Sequence, residues 1–190
     1  MRLFVAVLPD EPALDALAQT LDPLRDVPGA PRWNDRSLWH LTLAFLGEVE
    51  PDRLPALRSA LADVATSVGP FTLRLRRAGT FPPRRPARVL WVGVAGQVPA
   101  LRRLALLVQR AAYDVQVRPD GRSFTPHLTL GTWRPADGAG GWAGVEALGG
   151  LDGPAFRIDH LVLFRSHPGR RSEEHTSEPV TSASRMPSSA

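Results

Sequence analysis

The chain has 190 residues, of which 43% are hydrophobic and 22% are charged, and this balance excludes wholesale disorder and suits one domain or two small lobes sharing a core. The absence of cysteine excludes disulfides and thiolate metal sites. All 23 basic residues are arginine and the formal net charge is +4, which favours an anionic partner only weakly.

Apolar patterning predicts short strands mixed with amphipathic helices. In chain order it indicates a strand over residues 3–8, a helix over 11–22, a strand over 38–46, a helix over 54–64, strands over 71–77 and 89–94, a helix over 101–111, and strands over 124–130 and 156–164 with a Gly-rich loop between them. Because these elements lack the steady βαβ rhythm of a parallel sheet, the predicted fold is α+β with largely antiparallel sheets.

The apolar run at the start of the chain, residues 1–8, is too short for a signal peptide or a membrane-spanning helix. Asp10 and Glu11 follow it almost at once. We therefore expect a cytoplasmic protein with no membrane association.

The composition changes abruptly at Arg171. Residues 171–178 read as a codon-by-codon translation of a common sequencing adapter, and residues 184–190 read as a later stretch of the same adapter. Two matches in the right order are hard to obtain by chance, so we hypothesise that residues 171–190 are a non-native tail and that residues 1–170 form the domain. The alternative is a natural, disordered Ser-rich tail.

The tetrapeptide His-Leu-Thr-Leu occurs twice, at residues 40–43 and 127–130, with a spacing of 87 residues. Each copy lies in a predicted strand that follows a predicted helix. The spacing is too long for a solenoid repeat. It fits an internal duplication that gives one copy to each of two lobes.

Side chains alternate between the two faces of a strand, so His40 shares a face with Thr42, and His127 with Thr129. Two such strands present two imidazoles and two hydroxyls to one point. The next positions on these polar faces, Ala44 and Gly131, are small, and we expect that they leave room for a ligand.

This group of side chains suits the hydrolysis of a phosphodiester. One imidazole takes a proton from water and the other protonates the departing alkoxide, since imidazole does either near neutral pH. The hydroxyls donate to the non-bridging phosphate oxygens. The chemistry needs no metal and no other cofactor.

Two other interpretations of these residues are a structural role and a zinc site. A lone His-x-Thr in a strand is ordinarily structural, but two identical copies in matching contexts are far more specific. A zinc site usually takes three or four ligands, whereas each motif supplies one histidine and no carboxylate on the same face; Glu48 and Glu50 lie beyond the strand end.

These residues resemble the signature of the two-histidine phosphoesterase superfamily, and the flanking segments resemble the bacterial RNA 2′,3′-cyclic phosphodiesterases, also called 2′-5′ RNA ligases. The resemblance covers most of residues 1–166. It is carried by residues 2–6, 40–47, 79–81, 88–93, 124–130 and 156–166.

The resemblance implies a bilobal α+β fold with the two motifs at a central cleft, where an RNA 2′,3′-cyclic phosphate is opened to a 2′-phosphate. It implies that His127 activates water, that His40 protonates the leaving 3′-oxygen, and that Thr42 and Thr129 hold the phosphate. The residues themselves leave open which histidine is the acid. We expect RNA ends or nucleotides as partners and a monomeric protein.

The chain departs from the family pattern in two places. The arginine that usually follows the second motif is replaced by Thr132, and we expect Arg134 to bind phosphate in its stead. The family's last strand is replaced by the tail, which predicts either a protein less stable than its relatives or an unpaired sheet edge that invites association.

Other residues have alternative roles. Trp91 and Trp133 are candidates for base stacking or for core packing. A basic rim for RNA, or simply a solvated face, is expected from Arg74, Arg76, Arg77, Arg84, Arg85 and Arg88. Two other functions stay open: a cyclic phosphodiesterase for small nucleotides or ADP-ribose cyclic phosphate, and an RNA-end binding or 2′-5′ joining protein.

Overall fold

The structure, a computed structural model, describes residues 1–83, 86–121, 123–134, 144–168, 175–179 and 184–185. The helices of this part are α1 (Glu11–Leu21), α2 (Leu54–Ser67), α3 (Val98–Asp114) and α4 (Gly144–Ala147). Its strands are β1 (Arg2–Val7), β2 (Arg32–Trp33), β3 (Leu41–Glu48), β4 (Phe71–Phe81), β5 (Val89–Gly96), β6 (Leu128–Thr132), β7 (Asp152–Ile158), β8 (His160–Pro168), β9 (His175–Pro179) and β10 (Ser184–Arg185).

All described strands join one curled sheet in the order β10-β8-β1-β3-β6-β5-β4-β7, with β2 added to β6 and β9 added to β8. Every recorded pairing is antiparallel. The predicted α+β fold with antiparallel strands is therefore confirmed. The two halves of the sheet meet where β3 pairs with β6, so each half supplies one His-Leu-Thr-Leu copy at the centre.

One face of the sheet is covered by the helices. In α3 the residues Leu101, Leu104 and Val108 recur at helical spacing and are fully buried. They belong to the same apolar core as Leu41 and Leu43 of β3. This packing fixes the leucine face of each motif strand inward and leaves the opposite face for the polar residues.

The prediction of a single strand over residues 156–164 is wrong, because two strands meet at Asp159. The first of them, β7, pairs with β4, whereas β8 pairs with β1 in the other half of the sheet. Phe156 and Ile158 before the break and residues 161–164 after it are all apolar and buried, so a strand pattern alone does not reveal the break. The chain therefore crosses from one half of the sheet to the other at this point.

The strand predicted over residues 124–130 begins only at Leu128. The residues before it, which include Pro126, have no regular structure. In β3 the strand likewise begins at Leu41. Each catalytic candidate, His40 and His127, therefore lies one residue before its strand.

Residues of the tail occupy the outer edge of β8. Backbone pairing joins residues 175–179 to residues 164–168, and residues 184–185 to residues 160–161. The prediction that this edge is unpaired is therefore wrong. Because an exposed edge offers free backbone donors and acceptors to any extended chain, the pairing agrees with either origin of the tail, and we still propose that residues 171–190 are non-native.

Candidate active site

The centre of the site is the contact between the two motif strands. Leu41 of β3 pairs with Leu128 of β6 in antiparallel register. Continued by one residue in each direction, this register sets His40 across from Thr129, and Thr42 across from His127. The two copies thus form a square of side chains, with a histidine and a threonine on each strand, and we call these four residues the polar square. A duplicated motif related by a twofold axis requires such an arrangement.

The burial of the two strands repeats residue for residue. Leu41, Leu43 and Ala44 are buried and Thr42 is half-buried, and the same sequence of burial runs from Leu128 to Gly131. The leucines face the core, so the threonines face the opposite side. The alternation predicted from the sequence is confirmed.

The small residues after the motifs do not leave room for a ligand as expected. A Cβ atom on Gly131 would come within 2.5 Å of the backbone oxygen of Arg32, because β2 lies directly against this position. Ala44 is buried and does not line the cleft. Gly131 therefore serves strand packing, a contact that its spacing in the sequence did not reveal.

A cleft of about 740 Å³ opens over the polar square. All five residues singled out for the site line it: His40, Thr42, His127, Thr129 and Arg134. Its charged lining among the described residues consists of one aspartate and five arginines, which are Asp120 and Arg2, Arg32, Arg88, Arg118 and Arg134. This excess of guanidinium groups favours an anionic ligand.

A carbonyl oxygen two residues back orients the imidazole of His127. Nδ1 of this ring lies 2.6 Å from the backbone oxygen of Thr125. Nδ1 of His40, by contrast, is buried and has no hydrogen-bond partner among the described residues. A ring nitrogen that bonds a carbonyl must carry the hydrogen, so Nε2 of His127 is left to exchange protons in the cleft.

Aromatic rings surround each histidine. His40 stacks on Phe4 and Phe164, with ring centroids 4.9 and 5.7 Å away. His127 makes edge-to-face contacts with Phe81 and Trp91, whose ring centroids lie 5.0 and 6.4 Å from its own. These rings fix the imidazole planes and exclude water from one side.

Burial lowers the pKa of His40 from its usual 6.5 to about 4, because the apolar surroundings disfavour the charged ring. The Leu38 backbone opposes this shift in pKa, and the neighbouring His127 ring adds to it. His40 is therefore neutral at pH 7 in the free protein.

We expect the C2 proton of His40 to titrate near pH 4 in NMR spectra of the free protein. Saturating inorganic phosphate should move this midpoint upward, since an anion beside the ring favours the imidazolium. The His40→Asn variant assigns the signal. A midpoint at or above 6.5 without phosphate, or no upward movement with it, contradicts this account of the site.

The arginines of the cleft come from separate elements. Arg134 lies two residues beyond the end of β6 and lines the cleft, whereas Arg32 comes from β2 and Arg118 from the loop after α3. Sequence reasoning missed Arg2, Arg32 and Arg118, because isolated arginines in a short strand or a loop carry no periodic signal. Of the predicted basic rim, Arg84 and Arg85 lie outside the described residues, and Arg88 alone of the remainder lines the cleft.

The tryptophans and the third histidine have identifiable surroundings. Trp133 is largely buried, its indole nitrogen donates to the oxygen of Gly29 at 2.9 Å, and the residue also lines the cleft. Trp91 packs between Phe81 and His127 in support of the site. His160 bonds Asp159 at 2.6 Å and does not line the cleft.

Across the described ranges, His, Asp and Glu side chains nowhere gather in a group of three or more that could hold a metal ion. None of the helices in the described part of the chain combines the length and the apolar character needed to cross a bilayer.

Comparison with known proteins gives a consistent result. A family model described as LigT like Phosphoesterase matches residues 7–91. An RNA 2′,3′-cyclic phosphodiesterase of Archaeoglobus fulgidus is 35% identical over 131 residues, which are 69% of this chain and 72% of that protein. One of Geobacillus stearothermophilus is 34% identical over 71% of this chain, and the match spans 42% of that longer relative.

Solved structures share the fold along almost the whole chain. A Thermus thermophilus protein superposes with a TM-score of 0.78 at 25% identity, covering 95% of this chain and 96% of its own. The Escherichia coli LigT structure in complex with 3′-AMP gives a TM-score of 0.71 at 25% identity, with 96% and 97% covered.

Proposed function

The chain belongs to the LigT-like phosphoesterase family, and on that premise we propose that it hydrolyses 2′,3′-cyclic phosphate ends of RNA to 2′-phosphates. The observation that carries the proposal is the register of β3 against β6. It sets the groups of both motifs around one point of a cleft whose charged lining is mainly arginine. A single phosphate group fits that point.

In the proposed reaction, a water molecule attacks phosphorus while one histidine takes its proton. The bond from phosphorus to the 3′-oxygen breaks, and the other histidine protonates that oxygen. The 2′-ester bond remains, so the product carries a 2′-phosphate and a free 3′-hydroxyl. One water is consumed and no electrons are transferred.

The remaining groups stabilise negative charge. The hydroxyls of Thr42 and Thr129 stand between the histidines, where they donate to the non-bridging oxygens as charge builds up on them. Arg134 is the proposed guanidinium partner of the same phosphate, since its planar fork donates two parallel hydrogen bonds. All three side chains act as hydrogen-bond donors to phosphate oxygens.

The low pKa of His40 links proton uptake to substrate binding. The ring is neutral in the free protein, and a phosphate anion in the cleft favours its charged form. The neutral ring of the free protein is the form that a base needs, so an acid role for His40 requires that the ring gain a proton when the phosphate binds. On the resemblance to the family we propose His40 as the acid and His127 as the base.

Incubation with an oligonucleotide that ends in a 2′,3′-cyclic phosphate tests the function. We expect complete conversion to the 2′-phosphate, with the same rate in EDTA as in its absence, because histidines and hydroxyls supply the acid, the base and the charge stabilisation. The product is identified by a mass increase of one water and by co-elution with a synthetic 2′-phosphate standard, which separates it from the isomeric 3′-phosphate. Activity lost in EDTA and restored by zinc or manganese would falsify the metal-independent mechanism, and tight binding without turnover would favour an RNA-end binding protein.

A further inference from the structure

The cleft continues onto an exposed face of the sheet formed by β4 and β7. In β4, Leu73 and Leu75 are buried in the core, whereas Arg74 and Arg76 alternate with them and are exposed. The arginines therefore point away from the helices. They lie on the side of the sheet that carries the cleft.

Strand register confirms the common side. Arg76 pairs with Gly93 of β5, and Trp91, two residues before Gly93, shares its face. Trp91 in turn pairs with Thr129 and packs on the ring of His127. A continuous surface thus runs from the polar square across β5 to Arg76.

The last strand of this half, β7, extends the basic surface. Its exposed Arg157 pairs with Thr72, which lies on the same face of β4 as Arg74. Among the residues of β4 and β7 there is one carboxylate, that of Asp152, and it lies 3.5 Å from a guanidinium nitrogen of Arg74. We call Arg74, Arg76 and Arg157 the arginine face; its three positive charges exceed the single negative charge.

The two halves of the sheet differ on this side. In the half that holds β1 and β8, the corresponding positions Phe4, Ala6, Val162 and Phe164 form a buried apolar cluster, and Arg2 at the start of β1 lines the cleft. In the half that holds β4 and β7, the corresponding positions carry exposed arginines. The duplication is therefore symmetric at the histidines and asymmetric beyond them.

The distance between the polar square and the arginine face determines how long a ligand must be to contact both. Neighbouring strands lie about 4.8 Å apart and each residue advances about 3.3 Å, so Arg76 lies about 12 Å from Thr129 and Arg74 about 16 Å from it. A mononucleotide held at the polar square does not span that distance. A strand of a few nucleotides does.

We propose that the arginine face binds the phosphodiester backbone of the RNA strand that leads to the cyclic phosphate. The inference rests on the proposed function and sharpens it: the substrate is an oligonucleotide end, and the body of the strand runs over β5 and β4 toward β7. Recognition is through phosphates, so it is tolerant of sequence.

The test compares a mononucleotide 2′,3′-cyclic phosphate with a six-nucleotide RNA that ends in the same group. We expect wild type to open both and to show a higher kcat/KM for the oligonucleotide. In the Arg74→Gln/Arg76→Gln variant, kcat/KM for the oligonucleotide should fall on the order of tenfold near 0.15 M salt, since about 0.7 counterion is released per single-strand phosphate contact. In this variant the slope of log(kcat/KM) for the oligonucleotide against the logarithm of the salt concentration should become less negative by about 1.4. The value of kcat/KM for the mononucleotide should stay unchanged.

A matched control removes two arginines from the other side of the molecule. Arg103 and Arg110 are exposed on α3, so Arg103→Gln/Arg110→Gln makes the same change in net charge, and we expect both substrates to react as in wild type. The proposal is overturned if wild type shows no preference for the oligonucleotide, if the control loses as much as the test variant, or if the test variant loses equally on both substrates. Failure to open either substrate would instead refute the proposed function.

Discussion

Replacement of His40 or His127 by alanine lowers kcat by ~10²–10⁴-fold in the reaction that we propose, the usual effect of removing a positioned proton-transfer group. Both rings line the cleft and each is held by aromatic neighbours, so neither can be replaced by a nearby group without rearrangement. The measurement is single-turnover hydrolysis of a cyclic-phosphate oligonucleotide. His160→Ala is the matched control, because His160 bonds Asp159 outside the cleft and its removal should leave kcat unchanged.

The double variant distinguishes a catalytic pair from two separate contributions. Groups that act as a unit are strongly non-additive, so the His40→Ala/His127→Ala protein should lose far less than the product of the two single losses. If one single variant keeps wild-type turnover while the other is inactive, the unchanged motif copy is only structural and the two-histidine mechanism is wrong.

A change of leaving group separates the acid from the base. When sulfur replaces the 3′-bridging oxygen, the departing thiolate needs no proton, so the variant without the acid recovers while the variant without the base does not. We expect His40→Ala to recover. Recovery of His127→Ala instead would give the base role to His40, which its low pKa in the free protein also permits.

The sequence was sufficient to predict that the two motifs share one side of the sheet, because the motif is duplicated. A repeated His-Leu-Thr-Leu, in strands whose leucines must be buried, predicts two polar pairs on one side of the sheet. The structure brings these pairs together through Leu41 and Leu128. Local pattern and global topology agree here, so the inference needed no knowledge of distant contacts.

Features that depend on which strands become neighbours were not predictable in this way. The break at Asp159 separates two strands that both bury apolar residues and that pair with opposite halves of the sheet. The role of Gly131 depends on β2, a two-residue strand without a pattern of its own. Neither feature alters local hydrophobicity, so only the pairing of the strands reveals them.

The position of the arginine face relative to the histidines was also not predictable from the sequence. Arg74 and Arg76 belong to an ordinary alternating strand, and alternation does not tell which side of the sheet holds the histidines. The register through Gly93 and Trp91 supplies that information. A rim expected from composition thus becomes a surface with a defined orientation relative to the polar square.

Loss of either motif hydroxyl is expected to cost ~10²–10³-fold in kcat, somewhat less than loss of a histidine, since each supplies one preorganised donor to a non-bridging oxygen. Valine is the appropriate substitution at Thr42 and Thr129, because it keeps the branched shape that suits a strand and removes only the hydroxyl. Thr→Ser at each position is the control, and it should retain most of the activity because it keeps the donor.

The twofold relation of the motifs makes this prediction more specific. Thr42 lies across from His127, and Thr129 across from His40, in the same antiparallel register, so a phosphate on the axis takes one hydrogen bond from each threonine. Thr42→Val and Thr129→Val should therefore lower kcat by similar factors with smaller changes in KM, because charge on these oxygens grows in the transition state. Thermal unfolding checks that both variants fold as wild type. A wild-type kcat in either variant would remove that hydroxyl from the reaction and place the phosphate off the axis.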